Sequence, residues 1–439
     1  MSASTRSGLD LQRTIDAVWR IESPRLIAGL TRMVLDVGLA EDLAQDALVV
    51  ALEKWSQSGV PDNPGAWLMA TAKHRVIDLF RRGETLAEKQ GQIAYRLEQD
   101  LAEGASADPT AEAAAAAEVG DDLLGLIFMC CHPVLAIEAR VALTLRLLGG
   151  LTTDEIAHAF LTPRATVQQR IVRAKRTLSA ARVPFEVPAG DELAERLPAV
   201  LGVIYLVFNE GYSATAGSDW TRPELCEDAL RLGRILGELM PREAEAQGLV
   251  ALMELQTSRL RARRGPDGAP VLLLDQDRSR WDLLLIGRGL KALDRAEALS
   301  PGGLGPYTLQ AAIAACHARA RVPEQTDWER IVALYDGLAA LTGSPVVELN
   351  RAVAVAMAFG PAAGLELVDA LAGARELSEY YLLPSVRADL LERLSRREEA
   401  YVELTRAAGM TDNEQERVLL LERAARLVRH TPDPPPPSR

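Results

Sequence analysis

The chain has 439 residues, enough for two or three domains with cores of their own, and a formal net charge of −12. Aromatic residues are 5% and alternating Val/Ile/Thr runs are nearly absent, which excludes a sheet protein and predicts an all-α one. The start carries no charged segment followed by an apolar core, and the longest apolar run, residues 200–208, is too short to cross a bilayer, so neither secretion nor membrane contact is expected.

Residues 10–82 read as a first helical module, and residues 1–82 together carry no net charge. Residues 38–55 are amphipathic, with Leu39, Leu43, Ala47, Val50 and Ala51 inward and Glu41, Asp42, Gln45 and Asp46 on an acidic polar edge. Residues 64–82 predict a second helix with Trp67, Leu68, Val76 and Leu79 at core positions. That helix also carries a basic cluster, Lys73, His74, Arg75, Arg81 and Arg82. Residues 83–119 are polar, Ala-rich and carry a net −6, the composition of a flexible linker.

Residues 120–183 form a second module and carry a net +3. Within it, residues 151–178 spell a helix-turn-helix. Thr152 and Glu155 stand at capping-box spacing, and Thr162 and Pro163 read as N-cap and first residue of the second helix. On that helix Val167, Ile171, Ala174 and Leu178 share one face. Gln169, Arg173 and Arg176 occupy the other, flanked by Gln168, Arg170 and Lys175. Between 164 and 178 there is no acidic residue. Positive charge is thus confined to this module, while residues 184–439 carry −9, so the acidic bulk should weaken unaided DNA binding and a partner is implied.

Residues 185–320 read as a helical extension, 321–430 as TPR-like helices, and the proline-rich 431–439 as a disordered tail. Trp328, Ile331 and Tyr335 keep most of the W-x2-L-G-x2-Y spacing, with Val332 where Gly is usual. Helices are expected at about 345–358, 362–372, 377–394, 397–409 and 413–429. Two charged stretches sit amid apolar sequence: Asn209, Glu210, Gly211 and Tyr212, and Asp275, Asp277, Arg278, Trp281 and Asp282. Cross-bracing of the core through Arg231, Arg234 or Arg259 is the expected use, ahead of a ligand site. The four cysteines, Cys130, Cys131, Cys226 and Cys316, lack CxxC spacing and read as buried thiols of a cytoplasmic protein. Cys130, Cys131 and His132 are adjacent, and neighbours on a helix cannot converge on one metal. No phosphate loop, nucleophile motif or metal spacing is present, so no catalysis, cofactor or metal is expected.

The order of these segments resembles a bacterial RNA polymerase sigma factor of the extracytoplasmic-function type. AEDLAQDALVVALEKW resembles its region 2.2, PGAWLMATAKHRVIDLFRR its regions 2.3–2.4, and ALTLRLLGGLTTDEIAHAFLTPRATVQQRIVRAKRTL its region 4. FMCCHPVL, FNEGYSA, DQDRSRWD, GPYTLQAAIAACHA and PVVELNRAVAVA are similar to stretches of the subgroup with a long C-terminal TPR-like extension. The resemblance implies that Asp42, Gln45 and Asp46 dock on core RNA polymerase. It implies that Lys73, His74, Arg75, Arg81 and Arg82 serve the −10 element, with His74 where many members place Asn. It assigns Gln168, Gln169, Val172 and Arg173 to −35 base edges, and Arg170, Lys175 and Arg176 to phosphates. Gln168 stands where Arg is frequent, a change that favours adenine over guanine. The C-terminal region would regulate activity through an intramolecular contact or a protein partner.

Two other readings compete. A helix-turn-helix regulator with a TPR-like sensor accounts for residues 135–430 but not for the docking and basic helices before them. A ligand-binding or enzymatic module in 185–320 accounts for the charged stretches alone.

Overall fold

Apolar residues spaced three and four apart, with caps at the breaks, turn almost all of the described chain into helix. A computed structural model describes residues 3–82, 109–160, 162–214, 216–217, 220–265 and 270–429. Among these, the strand content is one parallel pair of two residues each, Ala216–Gly217 beside Asp412–Asn413. The all-α expectation holds, and the chain divides into two units, Met1–Leu206 and Val207–Arg439.

In the first unit α1 (Ala3–Val34), α2 (Val37–Ser58) and α3 (Pro64–Arg82) pack on one another. Asp36 caps α2 by accepting from the Leu39 amide at 2.9 Å, and Asn63 caps α3 through the Ala66 amide at 3.0 Å. Ile27, Leu30, Leu43, Ala47, Ala51, Trp55, Leu68, Ala72 and Val76 form the core. Leu39 and Val50 lie half-buried at its rim, as does Trp67, tilted against Trp55 at 5.3 Å. Leu79 departs from expectation. It shares the face of Leu68, but in the last turn of α3 no described element covers it, and it is exposed.

The second module begins earlier than its polarity suggested. Helix α4 spans Pro109–Cys130, so the last part of the expected linker, 109–119, is helical. Pro109 stands at the first helical position and the Ala run has the highest helix propensity. Helices α5 (Ile137–Leu147), α6 (Thr153–Ala159) and α7 (Arg164–Ala180) follow. The turn into α6 needs two glycines: a Cβ on Gly149 would stand 2.5 Å from the Leu145 carbonyl, and Gly150 has φ +71°. The capping box is closed in both directions, with the Glu155 amide on Thr152 Oγ1 at 3.1 Å and the Thr152 amide on Glu155 Oε2 at 2.7 Å. Thr152→Ala should therefore destabilise the first unit by about 1 kcal/mol, read as a lowered urea midpoint. At the second helix the expected cap is corrected: Thr162 donates back to the Phe160 carbonyl at 3.1 Å, and Pro163 occupies the N-cap.

The second unit opens with the end of α8 (Asp191–Tyr212). Helix α10 (Ala244–Thr257) is buried on all sides from Ala246 to Leu255, and α9 (Pro223–Leu239), α11 (Leu283–Ala298) and α12 (Pro306–Arg319) cover it. Of its two buried polar residues, Gln247 donates to the Gly237 carbonyl at 2.7 Å, and Glu254 takes Arg234 at 2.8 Å through one carboxylate oxygen. Helices α13 (Trp328–Thr342), α14 (Pro345–Phe359), α15 (Pro361–Ala370), α16 (Leu382–Arg393), α17 (Arg397–Met410) and α18 (Glu414–Arg429) each pack on the next. The helix expected from 377 starts at Leu382. Pro384 has no amide to donate and must lie within the first turn, where amides are unpaired anyway.

The charged stretches do not pair as expected. Glu210 takes Arg222, while Arg234 takes Glu254 and Asp282 caps α11 through the Leu284 amide at 2.9 Å. Among the described residues, Arg259 hydrogen-bonds the neutral Gln256 side chain at 3.0 Å and lies against the Tyr212 ring. The tail 431–439 and residues 83–108 of the linker lie outside the described residues.

Candidate nucleic-acid interface

Helix α7 separates two faces. Val167, Ile171, Ala174 and Leu178 are buried, and Gln168, Gln169, Val172, Arg173 and Arg176 are exposed, with Arg170 half-buried. The capping box orients α6 behind it, and Arg164 pairs with Asp154 at 3.1 Å between the two helices. Partial burial works against ionisation of Glu155, but the hydrogen bonds with Thr152 and the Arg20 guanidinium at 2.7 Å outweigh it and hold the carboxyl below its usual range. The exposed face of α7 thus offers two amides, a methyl-bearing side chain and two guanidiniums, the groups that read base edges and hold phosphates.

Lys175 departs from the pattern. Its side chain is only 19% exposed and its ammonium pairs with Glu41 of α2. Glu41, expected on a polar edge, is 4% exposed. It binds Arg146 of α5 at 2.7 Å, accepts from Gln45 at 2.7 Å and meets Lys175. One buried carboxylate therefore joins the first helical module to two helices of the second, and Ser179 adds a 3.4 Å bond to Asp36. Local sequence pattern could not find this, because Arg146 lies 105 residues from Glu41. The single signal was a lone arginine inside the apolar run LTLRLL.

Of the other expected residues, Asp42 is exposed, Gln45 is half-buried on Glu41, and exposed Asp46 pairs with Arg75 at 2.6 Å. That pair joins a residue expected to meet polymerase to one expected to meet the −10 element. At the surface such a pair contributes about 0–1 kcal/mol and exchanges easily. His74 is exposed and Lys73 half-buried, while the side chains of Arg81 and Arg82, at the end of α3, lie outside the described residues. Cys130 and Cys131 are buried, and burial pushes the Cys131 thiol up to about 11, despite its contact with Thr144.

A three-helix body with an acidic edge, followed by a capped helix-turn-helix with a basic reading face, defines a two-module transcription initiation factor. Residues 19–85 match sigma-70 region 2, residues 126–178 match sigma-70 region 4, and residues 196–297 match a family of unknown function, DUF6596. The chain belongs to the extracytoplasmic-function branch of the sigma-70 family, in a form with a long C-terminal extension. An uncharacterised protein of Rhizobium meliloti is 43% identical over 90% of this chain and 91% of its own length. A protein of Mycobacterium tuberculosis described as a probable ECF RNA polymerase sigma factor, SigI, is 27% identical over 42% of this chain and 60% of its own. No solved structure matches. Membership makes core RNA polymerase and promoter DNA the partners. Among the described residues, no helix is long and apolar enough to cross a membrane.

Proposed function

We propose that this sigma factor reads the −35 element with Gln168, Gln169, Val172 and Arg173, while Arg170, Lys175 and Arg176 hold flanking phosphates. Lys73, His74, Arg75, Arg81 and Arg82 engage the −10 element as it opens, and Asp42, Gln45 and Asp46 dock on the polymerase. The observation that carries this reading is the exposed face of α7, whose base-reading side chains all point away from the core behind a closed capping box. Promoter binding requires the two modules to part, because Lys175 cannot hold a phosphate while it is paired with Glu41. Polymerase binding, which spreads the modules over separate promoter elements, supplies the work of parting them. Gel shifts without polymerase test this reading: weak, sequence-indifferent retention supports it. Tight specific binding by the protein alone favours a helix-turn-helix regulator that needs no polymerase.

The C-terminal helices regulate this activity. The relative in Rhizobium meliloti is alike over 90% of the chain, so the extension and the two modules occur together in it. Truncation is the test, and its position matters. Phe185 lies against Gly125, and Arg196 donates to the Phe128 carbonyl at 2.9 Å, so a cut near 184 would injure the second module itself. A chain ending at Leu206 keeps both braces. Its run-off transcription should differ at least several-fold from the full chain, and equal output at equal polymerase occupancy would contradict a regulatory role.

A further inference from the structure

The second unit gathers three guanidiniums that have no acidic partner among the described residues. Arg263, only 8% exposed, places its guanidinium carbon 3.8 Å from the Tyr212 ring centroid and 4.3 Å from that of Trp220. Arg259 lies 5.5 Å from the same Tyr212 ring, and Arg278 lies 4.9 Å from Trp281. Their hydrogen bonds go to neutral acceptors: Arg263 to the Tyr212 carbonyl at 3.1 Å, Arg259 to Gln256, and Arg278 to the carbonyls of His317 and Ala320 at 2.6 Å each. Arg278 also donates to Thr326 Oγ1 at 3.4 Å. Among the described residues no carboxylate forms an ion pair with any of the three; Glu324 acts on Arg278 only at longer range. Glu416, behind Trp220, is occupied by the indole at 3.2 Å and by Thr411 at 3.3 Å.

Such an arrangement is costly unless something completes it, because desolvated cations require counter-charge. Burial, joined by the Arg263 cation and only partly offset by the Tyr212 side chain, works against the charge on Arg259, and burial does the same for Arg278. Burial together with the Arg259 and Arg278 cations holds His317 down to about 3, so its ring is neutral. Unused hydrogen-bonding atoms accompany the positive charge. Among the described residues, Arg263 Nε, Arg278 Nε, His317 Nδ1 and the Trp281 Nε1 donor are all buried without a partner, and Trp281 is 6% exposed. These residues come from four separated segments: the end of α8, the loop after α10, the turn before α11, and α12. Core bracing would have paired them with carboxylates. Arg259 and Arg278 keep partial solvent access, which leaves an approach to the cluster.

We infer that Arg259, Arg263, Arg278 and His317 form a binding site for a small organic anion, whose carboxylate or phosphate oxygens take these donors while Tyr212 and Trp281 flank its body. Planar guanidiniums backed by aromatic rings suit such oxyanions in a bidentate manner. The site belongs to the second unit alone and does not rest on the promoter contacts.

The test is thermal unfolding of the full-length protein with sodium benzoate for the carboxylate arm and inorganic phosphate for the phosphate arm, each against sodium chloride at equal ionic strength. At least one anion should raise Tm saturably, by roughly 2 °C or more, beyond the chloride reference. That rise should vanish in Arg278→Gln and in Arg263→Gln. Should the buried Arg263 variant fail to fold, Arg259→Gln, which is partly exposed, replaces it. Both anions behaving as chloride, or variants responding as the parent does, would overturn the site. A response to phosphate alone identifies a phosphorylated ligand, and a response to benzoate alone a carboxylic one.

Discussion

Arg173→Ala combined with Gln169→Ala is expected to abolish promoter-directed run-off transcription while leaving association with core polymerase unchanged. Both side chains are exposed on the outward face of α7, so neither substitution removes a core contact. A bidentate contact with a base edge discriminates by about 1–3 kcal/mol, which is roughly fivefold to 150-fold per residue. Gln169→Ala alone should relax sequence preference at one position of the −35 element. Arg176→Ala, by contrast, should weaken binding to all sequences and flatten the salt dependence by about one phosphate contact. Equal losses for all promoter sequences in the Arg173 and Gln169 variants would show that α7 positions DNA without reading it.

Glu41→Ala should have the second large effect, and in two directions at once. The carboxylate neutralises Arg146 and Lys175, which are only 22% and 19% exposed, so removing it strands two partly desolvated cations. Breaking a buried ion pair by deleting one partner typically costs about 3–5 kcal/mol, and partial solvent access puts this case toward or below the lower end. The folded first unit should lose that stability, or the two modules should separate to let water reach the cations. Either way Lys175 becomes available. DNA binding without polymerase should then strengthen, and its salt slope should steepen by about 0.9. A double-mutant cycle with Lys175→Ala should show coupling of about 0.5–3 kcal/mol. A Glu41→Ala protein with parental stability and parental DNA affinity would mean that the contact between the modules restrains nothing.

The helix-turn-helix was legible because each of its parts is local. The capping box needs two residues three apart, and the buried face of α7 recurs within fifteen positions. Local rules also misled at defined points. Thr162 is a good capping residue, but Pro163 took the position, and the Thr162 hydroxyl turned back to Phe160. Leu79 keeps the right periodicity in a turn that no described element covers. Glu41 is the instructive case: helical spacing placed it beside Asp42 and Gln45 on a polar edge, and only the arrival of α5 and α7 buries it. Glu210 likewise chose Arg222, just ahead of α9, while Arg259 and Arg278 settled on aromatic rings. Pairings across a fold depend on which helices meet, and single-helix periodicity carries no information about that.

Run-off transcription with purified core RNA polymerase and a library of promoter fragments is the decisive measurement. Full-length protein should convert the core enzyme to initiation at a defined class of −35 and −10 sequences, and Asp42→Ala with Asp46→Ala should remove both polymerase association and transcript. If the polymerase neither retains the protein nor starts at discrete sites in its presence, the chain does not work as a sigma factor.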